Sequence, residues 1–140
     1  MKHQFVMKDI VRDYECDLQG IVNNANYQHY MEHTRHEFLR TNGLSFAKLH
    51  ADGCDAVVAR AEINYKSPLR SLDNYLSCVS VSKQGVRYVF THYIYRESDK
   101  VLCVKAKIDV VCLVNGRLSD HYPDIDAMLE RVSKLDLAEI

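Results

Sequence analysis

Hydrophobic positions at helical spacing mark residues 24–42 as the best-defined element of the chain. Residues spaced three or four apart form the predicted inner face of this helix. They are Tyr27, Tyr30, Met31, Thr34 and Phe38. Polar side chains occupy the opposite face, namely His29, His33, His36 and Arg40. Asn42-Gly43 follows where such a helix should stop, because both residue types tolerate positive φ. The pattern predicts a helix of about five turns.

Strand patterns lie on both sides of this helix. Residues 4–16 are rich in Phe, Val, Ile and Tyr and predict a first strand. After a short predicted helix at 45–50, stretches rich in Val, Ile, Tyr and Thr predict strands at 56–66, 75–83, 87–96 and 101–114. Gln84-Gly85, residues 97–99 and Asn115-Gly116 are suitable hairpin turns between them.

A closing helix is predicted from Pro123, with apolar positions Met128, Leu129, Val132 and Leu135. No linker, repeat or low-complexity segment divides the 140 residues. The order of strand, long helix and antiparallel meander predicts a single α+β domain over residues 1–140. We expect one helix packed through its apolar face on a curved antiparallel sheet of about five strands.

Composition narrows the possible partners and location. The chain has 18 basic and 19 acidic residues without a basic run, which argues against nucleic acid as a partner. No apolar segment has the length of a signal peptide or a membrane span, so we expect a cytoplasmic protein. The cysteines lack paired CxxC spacing and are expected to be reduced packing thiols rather than zinc ligands. They are Cys16, Cys54, Cys78, Cys103 and Cys112.

The candidate chemistry lies in CDLQGIVNNANY, residues 16–27, where a carboxylate and a glycine turn precede three asparagines. Asparagine is a poor residue inside a helix and a good one at its end, so this run predicts a deliberately built helix entrance. A helix amino terminus has unpaired N–H groups and a partial positive charge, which attract a carboxylate or a developing oxyanion. We therefore predict an active site formed by Asp17 and the start of the helix.

The motif Asp17-x-x-Gly20-Ile-Val, followed by Asn23-Asn24-Ala-x-Tyr27 at the start of a long helix, resembles the hot-dog-fold thioesterases, particularly the 4-hydroxybenzoyl-CoA thioesterase-like family. The resemblance extends to the run YKSPL at residues 65–69. It implies the hot-dog fold, in which a curved sheet wraps one long central helix. It also implies a homodimer or homotetramer with acyl-thioester sites between subunits.

The resemblance further implies an acyl-CoA thioesterase without a metal or redox cofactor. Asp17 would drive hydrolysis as nucleophile or general base, and the peptide N–H of Asn24 would hold the thioester oxygen. Some relatives have histidine at the positions of Ile21 or Asn24, so the Asn24 amide is an alternative group to orient water here. The predicted substrate-binding residues are Tyr14, Gly20, Val22, Asn23, Tyr27, Lys66, Ser67 and Pro68.

Simpler interpretations stand beside these roles. A D-x-x-G run alone is also typical of an ordinary turn. The three helix histidines could gather a metal ion, although a solvated or subunit-facing surface is favoured because they lie opposite the apolar face. Cys16 adjoins Asp17, but neighbours on an extended strand point to opposite faces, which favours a packing thiol. Two basic pairs, Lys66 with Arg70 and Lys83 with Arg87, could contact the coenzyme A phosphates.

Two other functions remain open from the sequence. One is a non-hydrolytic acyl-CoA binding or regulatory protein that uses the same pocket. The other is an enoyl-thioester hydratase, which needs an acid/base pair and usually a histidine. No histidine lies in the motif, so His92 or His121 would have to supply it.

Overall fold

The framework of the fold is a curved antiparallel sheet, described for all 140 residues by a computed structural model. The strands in chain order are β1 (Lys2–His3), β2 (Phe5–Ile10), β3 (Cys54–Tyr65), β4 (Asn74–Gln84), β5 (Arg87–Arg96), β6 (Leu102–Val114), β7 (Arg117–Ser119) and β8 (Ala138–Glu139). The main sheet has the order β2-β4-β5-β6-β3, and β7 pairs with β6. The short β1 and β8 pair separately. Strand β3 is therefore an edge strand of the main sheet, and its outer side is unpaired.

Three helices complete the molecule, and the longest, α1 (Asn24–Thr41), lies against the sheet. The residues predicted for its inner face are buried, with Met31 at 0% and Phe38 at 1% exposure. Helix α2 (Phe46–Ala51) leads into β3, and α3 (Pro123–Ser133) adds Met128 and Val132 to the same core. The predicted α+β hot-dog arrangement, one long helix against a curved antiparallel sheet, is confirmed.

Two predicted boundaries are wrong. The first strand ends at Ile10 rather than continuing to Cys16, and Asp13–Glu15 forms a single 3-10 turn. The cause is Glu15, whose carboxylate accepts the Arg12 N–H at 2.7 Å and the Tyr30 hydroxyl at 2.8 Å. These bonds draw the segment toward α1. In addition, α3 ends at Ser133, so Leu135 lies beyond it and is 61% exposed.

Turns and surface residues otherwise follow the patterns of the sequence. Asn115 and Gly116 both have positive φ, as predicted for the hairpin between β6 and β7. The three histidines of α1 are exposed, as expected of a solvated or subunit-facing surface. All five cysteines are free, four of them buried and Cys16 half-buried. None of the helices combines the length and apolar character that crossing a membrane requires.

Candidate active site

The loop that carries Asp17 folds back on itself before α1. Cys16 and Val22 form an isolated antiparallel bridge, and the Asp17 N–H donates to the Ile21 carbonyl at 2.9 Å. The Gly20 N–H donates to the Asp17 carbonyl at 3.0 Å, with Gly20 at a φ of +78°. Glycine adopts this left-handed conformation without steric cost. The closed turn thus fixes the backbone of Asp17 in front of the helix.

The Asp17 carboxylate is oriented by its neighbour Gln19. Asp17 Oδ1 accepts the Gln19 backbone N–H at 2.9 Å. With its amide turned to donate, the Gln19 side chain also lies 2.9 Å from Oδ1 and 3.2 Å from Oδ2. Hydrogen bonds of this kind favour a defined carboxylate geometry and leave further lone pairs free for a ligand.

The start of α1 presents an unused backbone donor at Asn24. Asn23 is the N-cap, and its side chain accepts the Ala25 N–H at 3.0 Å while its carbonyl accepts the Asn26 N–H at 2.9 Å. Asn24 is the first helical residue, where no carbonyl of the helix can accept its N–H. The turn, loop and cap hydrogen bonds do not use this N–H either. It is therefore available to an external acceptor.

The opposite wall of the site is the segment after β3, which is tied to α1 and to the sheet. The Leu69 N–H donates to the Tyr27 hydroxyl at 3.1 Å, and the Val22 N–H donates to the Leu69 carbonyl at 2.9 Å. Arg96 donates to the Pro68 carbonyl at 2.6 Å and pairs with Asp99 at 2.8 Å. These contacts hold the wall at a fixed distance from the helix entrance.

Between the two walls lies an open pocket of about 490 Å³. Nine residues line it: Asp17, Ile21, Val22, Asn24, Tyr27, Tyr65, Lys66, Ser67 and Pro68. Seven of these were predicted as site residues from the sequence. The structure thus brings together residues that lie about 50 positions apart in the chain.

Three predicted substrate-binding residues lie outside the pocket lining. Tyr14 stands on the 3-10 turn and is 79% exposed, because that turn replaces the expected strand. Gly20 shapes the Asp17 turn, and Asn23 is engaged in capping α1. Within one chain, Tyr14 therefore does not line this pocket.

Two lining residues, Ile21 and Tyr65, were missed as site residues. The Tyr65 hydroxyl donates to the Asn24 carbonyl at 3.3 Å, and its ring centroid lies 5.8 Å from that of Tyr27. Tyr65 is half-exposed at the mouth of the pocket. The signal that could have identified it is its position at the start of the YKSPL run, directly before three predicted residues.

Cys16 and Tyr27 are protonated in this environment. Burial, reinforced by the neighbouring Asp17 carboxylate, raises the pKa of the Cys16 thiol. The thiol packs against the core whereas Asp17 lines the pocket, as expected of a packing cysteine. Burial also raises the pKa of Tyr27, so its hydroxyl remains a neutral hydrogen-bonding group. Neither side chain is suited to act as an anionic nucleophile.

Neither histidine that the hydratase alternative requires lines the pocket. His92 is fully buried beside Arg35, and His121 is exposed between β7 and α3. Of the two basic pairs, Lys83 donates to the Asp120 carbonyl and Arg87 pairs with Asp109 at 2.7 Å. Lys66 and Arg70, by contrast, form no ion pair. The free positive charge therefore lies on the pocket side, near Pro68.

Comparison with known proteins places this arrangement in a family. Residues 11–132 match the model described as the thioesterase-like superfamily. The acyl-acyl carrier protein thioesterase ATL3 of Arabidopsis thaliana is 34% identical over 114 residues, which cover 81% of this chain and 59% of that protein. The acyl-CoA thioester hydrolase YbgC of Escherichia coli is 32% identical over 101 residues, covering 71% of this chain and 74% of YbgC.

A solved structure supports the same placement at the level of the fold. The 1,4-dihydroxy-2-naphthoyl-CoA thioesterase of Synechocystis superposes with a TM-score of 0.86 at 15% identity, over 94% of this chain and 98% of that one. The family model covers the Asp17 turn, α1 and all the strands from β3 to β7. The chain therefore belongs to the thioesterase-like superfamily.

Proposed function

We propose that the protein hydrolyses an acyl-CoA thioester to a free acid and coenzyme A. The observation that carries the proposal is a single pocket lined by both the Asp17 carboxylate and Asn24, whose N–H has no acceptor in the chain. A carboxylate and a preorganised backbone donor are the two groups that acyl transfer to water requires.

In this proposal the thioester oxygen binds the Asn24 N–H at the amino terminus of α1. Negative charge develops on that oxygen as the carbonyl carbon becomes tetrahedral, and the helix dipole favours that charge. The Tyr65 hydroxyl, bonded to the Asn24 carbonyl, helps to hold this residue in place. The interaction therefore grows stronger in the transition state than with the bound substrate.

Asp17 can complete the reaction by either of two routes. As a general base it takes a proton from water, the water oxygen bonds to the carbonyl carbon, and the C–S bond breaks to release the thiolate. As a nucleophile its oxygen bonds to that carbon and expels the thiolate, and water then opens the resulting anhydride. A thiolate with a pKa of about 8.5 leaves without a strong general acid, so the absence of a pocket histidine is compatible with both routes.

Coenzyme A is the carrier that the charges favour. The names of YbgC and ATL3 state thioester cleavage, but one refers to acyl-CoA and the other to acyl-acyl carrier protein. Lys66 lines the pocket and Arg70 lies close to it in sequence, and neither is in an ion pair. These two unpaired cations suit the phosphates of the coenzyme A nucleotide.

We also infer that the protein acts as a homodimer or homotetramer in the cytoplasm, with sites between subunits. The open edge of β3 supports such an assembly because it leaves a row of backbone donors and acceptors unpaired. Reduced cysteines support a cytoplasmic location. Neither route through Asp17 calls for a metal or redox cofactor.

The test is free-thiol release from acetyl-CoA to palmitoyl-CoA and from aromatic acyl-CoA thioesters. We expect turnover by the parent, a loss of at least about 100-fold in Asp17→Asn, and parental activity in Asp13→Asn. Asp13 is a matched control, since its carboxylate only accepts the Tyr14 N–H on the 3-10 turn. Equal turnover of parent and Asp17→Asn would reject the assignment.

Acyl-CoA binding and the mass of crotonyl-CoA after incubation separate the rival functions. Saturable binding of an acyl-CoA without thiol release would favour the non-hydrolytic binding protein. A mass increase of crotonyl-CoA by one water, with the thioester intact, would favour the hydratase.

A second experiment isolates the backbone donor from the Asn24 side chain. Asn24→Pro deletes the N–H, and proline is well tolerated at a first helical position. Asn23 already has the extended backbone that a residue before proline needs, with φ −61° and ψ 136°. We expect kcat to fall by about 100-fold in Asn24→Pro and by much less in Asn24→Ala. The opposite order would assign the role to the side-chain amide.

A further inference from the structure

Arg35 is a buried charge that forms no ion pair within its own chain. It lies on α1 with only 7% of its surface exposed, and its guanidinium points to β5. Its guanidinium makes one side-chain hydrogen bond, from Nη1 to His92 Nε2 at 3.2 Å, and lies 6.0 Å from the centroid of the Phe90 ring. No carboxylate approaches within ion-pair distance.

The His92 contact cannot replace a counter-charge. Arginine has only donors, so Nε2 must accept, which leaves the proton on Nδ1 and the imidazole neutral. Desolvation lowers the pKa of Arg35 to about 10, although the Glu32 carboxylate of the same chain opposes this shift, so the guanidinium is still charged at neutral pH. A buried charge without a partner is strongly unfavourable. A carboxylate from outside the chain would remove this cost.

The open edge of β3 indicates where that carboxylate comes from. Arg35 lines two adjacent clefts between α1 and β3, which together form a groove. Both clefts also include Glu32 and Val58. Val58 is near the middle of the 12-residue strand and is 53% exposed. A long exposed edge strand is a template for pairing with another strand. A second copy that pairs there about a two-fold axis brings its own α1 to the same groove.

We propose that Arg35 forms an ion pair with Glu32 of the partner subunit, made twice across a two-fold interface along β3. This proposal rests on the assembly inferred above. Contacts across a two-fold axis are reciprocal, so a residue pair is satisfied in both directions. Glu32 and Arg35 are about one helical turn apart, near the middle of β3. This face of α1 therefore carries a negative and a positive charge that can each meet the opposite charge on a second copy.

The other acidic residues near the groove are less suited to this role. Asp55 already contacts His50 at 2.5 Å. Glu62 lines a different cleft with Lys105 and Lys107, on the opposite face of β3. Glu32 is 56% exposed at its side chain and has only a 3.8 Å contact to His36. It acts on Arg35 of its own chain only at a distance, without a hydrogen bond, and it is the carboxylate in the groove that can reach a second copy.

The test uses two chains with different affinity tags, Glu32→Arg in one and Arg35→Glu in the other. Each variant alone places like charges across the interface, whereas the mixed dimer restores both opposite-charge pairs. We expect native mass spectrometry of the co-expressed chains to show mixed dimers well above the statistical half. A contact within one chain would give no such preference. Assembly is measured without substrate, so the result is independent of turnover by Asp17.

A matched control uses the same charge changes outside the groove. Glu37 and Arg40 form an ion pair within α1 at the same spacing of three residues. Chains carrying Glu37→Arg and Arg40→Glu have the same net charges as the test pair, so they report any general attraction between them. We expect this control to give the statistical distribution.

Neutral variants keep the proposal testable if Arg35→Glu does not fold. We expect Glu32→Gln and Arg35→Met each to weaken dimerisation at least about tenfold. The double variant should dimerise no more weakly than the single variant with the lower dimer affinity, because each single substitution already removes the same ion pair. The proposal would be overturned by any of three results. The charge-reversed chains could form a statistical mixture, the neutral variants could weaken dimerisation independently, or the parent could be a monomer.

Discussion

The Tyr27 hydroxyl accepts the Leu69 N–H at 3.1 Å and thereby joins α1 to the opposite wall of the pocket. Both residues are buried, Tyr27 at 4% and Leu69 at 0% exposure. The Leu69 carbonyl is bonded in turn to the Val22 N–H at the end of the Asp17 turn. The Tyr27 hydroxyl, through Leu69, therefore links α1, the opposite wall and the Asp17 turn.

Tyr27→Phe should loosen this link while retaining the ring. The Leu69 N–H would lose its buried acceptor, which is expected to lower the free energy of unfolding by about 1–3 kcal/mol. Because the wall carries Ser67 and Pro68, kcat/KM for acyl-CoA should fall by about tenfold. Urea unfolding and thiol release measure the two effects.

Tyr30→Phe is the matched control for that change. Its hydroxyl donates to Glu15 at 2.8 Å, one helical turn away and outside the pocket lining. We expect a comparable loss of stability with kcat/KM changed by less than about twofold. Equal activity losses in the two variants would mean that general destabilisation, rather than the position of the wall, limits turnover.

Gly20 and Gly43 offer a second matched pair. Their φ angles are +78° and +79°, and a Cβ at either position would meet no atom within 4 Å. Alanine at either site should therefore cost about 1–2 kcal/mol of stability through backbone strain alone. Only Gly20 belongs to the Asp17 turn, so Gly20→Ala should also lower kcat whereas Gly43→Ala should not. Thermal unfolding and turnover at saturating substrate test this, and unchanged kcat in Gly20→Ala would contradict it.

Local sequence signals predicted the elements and most of the pocket. The five inner-face residues of α1 predicted the helix and its orientation because burial follows the helical period. The motif and the YKSPL run supplied seven of the nine lining residues, although periodicity alone does not show that they meet. What failed depends on contacts distant in sequence. The first strand stops early because Glu15 bonds to Tyr30, and Tyr14 is then left on the surface.

The buried Arg35 illustrates the same limit. Its neighbours His33 and His36 on the helix are exposed, whereas Arg35, four residues after Met31 and three before Phe38, lies at the margin of the apolar face. Its burial follows from the packing of α1 on the sheet, which places it against Phe90 and His92 of β5. A charged residue at the margin of an apolar helix face is usually solvated. The helical period places Arg35 at this margin, and tertiary packing decides that it is buried rather than solvated.

Lys66 should contribute to binding through the nucleotide of coenzyme A. We expect Lys66→Met to raise KM for an acyl-CoA by about three- to tenfold, with kcat unchanged and with a weaker salt dependence of kcat/KM. A short thioester of N-acetylcysteamine, which lacks the phosphates, should show no difference. Arg117→Met removes another exposed cation without an ion pair, far along the chain on β7, and should leave both substrates unaffected. Equal KM changes for the two thioesters would remove Lys66 from phosphate binding.

His92 makes stability depend on pH near neutrality. Desolvation, together with the charge of Arg35, holds the pKa of His92 well below its ordinary value. The unfolded chain takes up a proton near pH 6.5, whereas the folded chain leaves this imidazole neutral. Below that pH the unfolded state binds more protons, so the free energy of unfolding falls as the pH falls. His3 and His36, whose pKa values are also lowered by burial, add to the same trend.

His92→Gln should flatten this dependence without removing it. The Gln oxygen can accept from Arg35 as His92 Nε2 does, while the titrating group is lost. Urea unfolding between pH 7 and pH 5 should show a slope smaller than that of the parent by up to about 1.4 kcal/mol per pH unit. Above pH 7.5, where the imidazole is neutral in both states, the two curves should run parallel. Parallel curves over the whole range would instead show that His92 is protonated inside the folded protein, and the neutral contact with Arg35 would have to be abandoned.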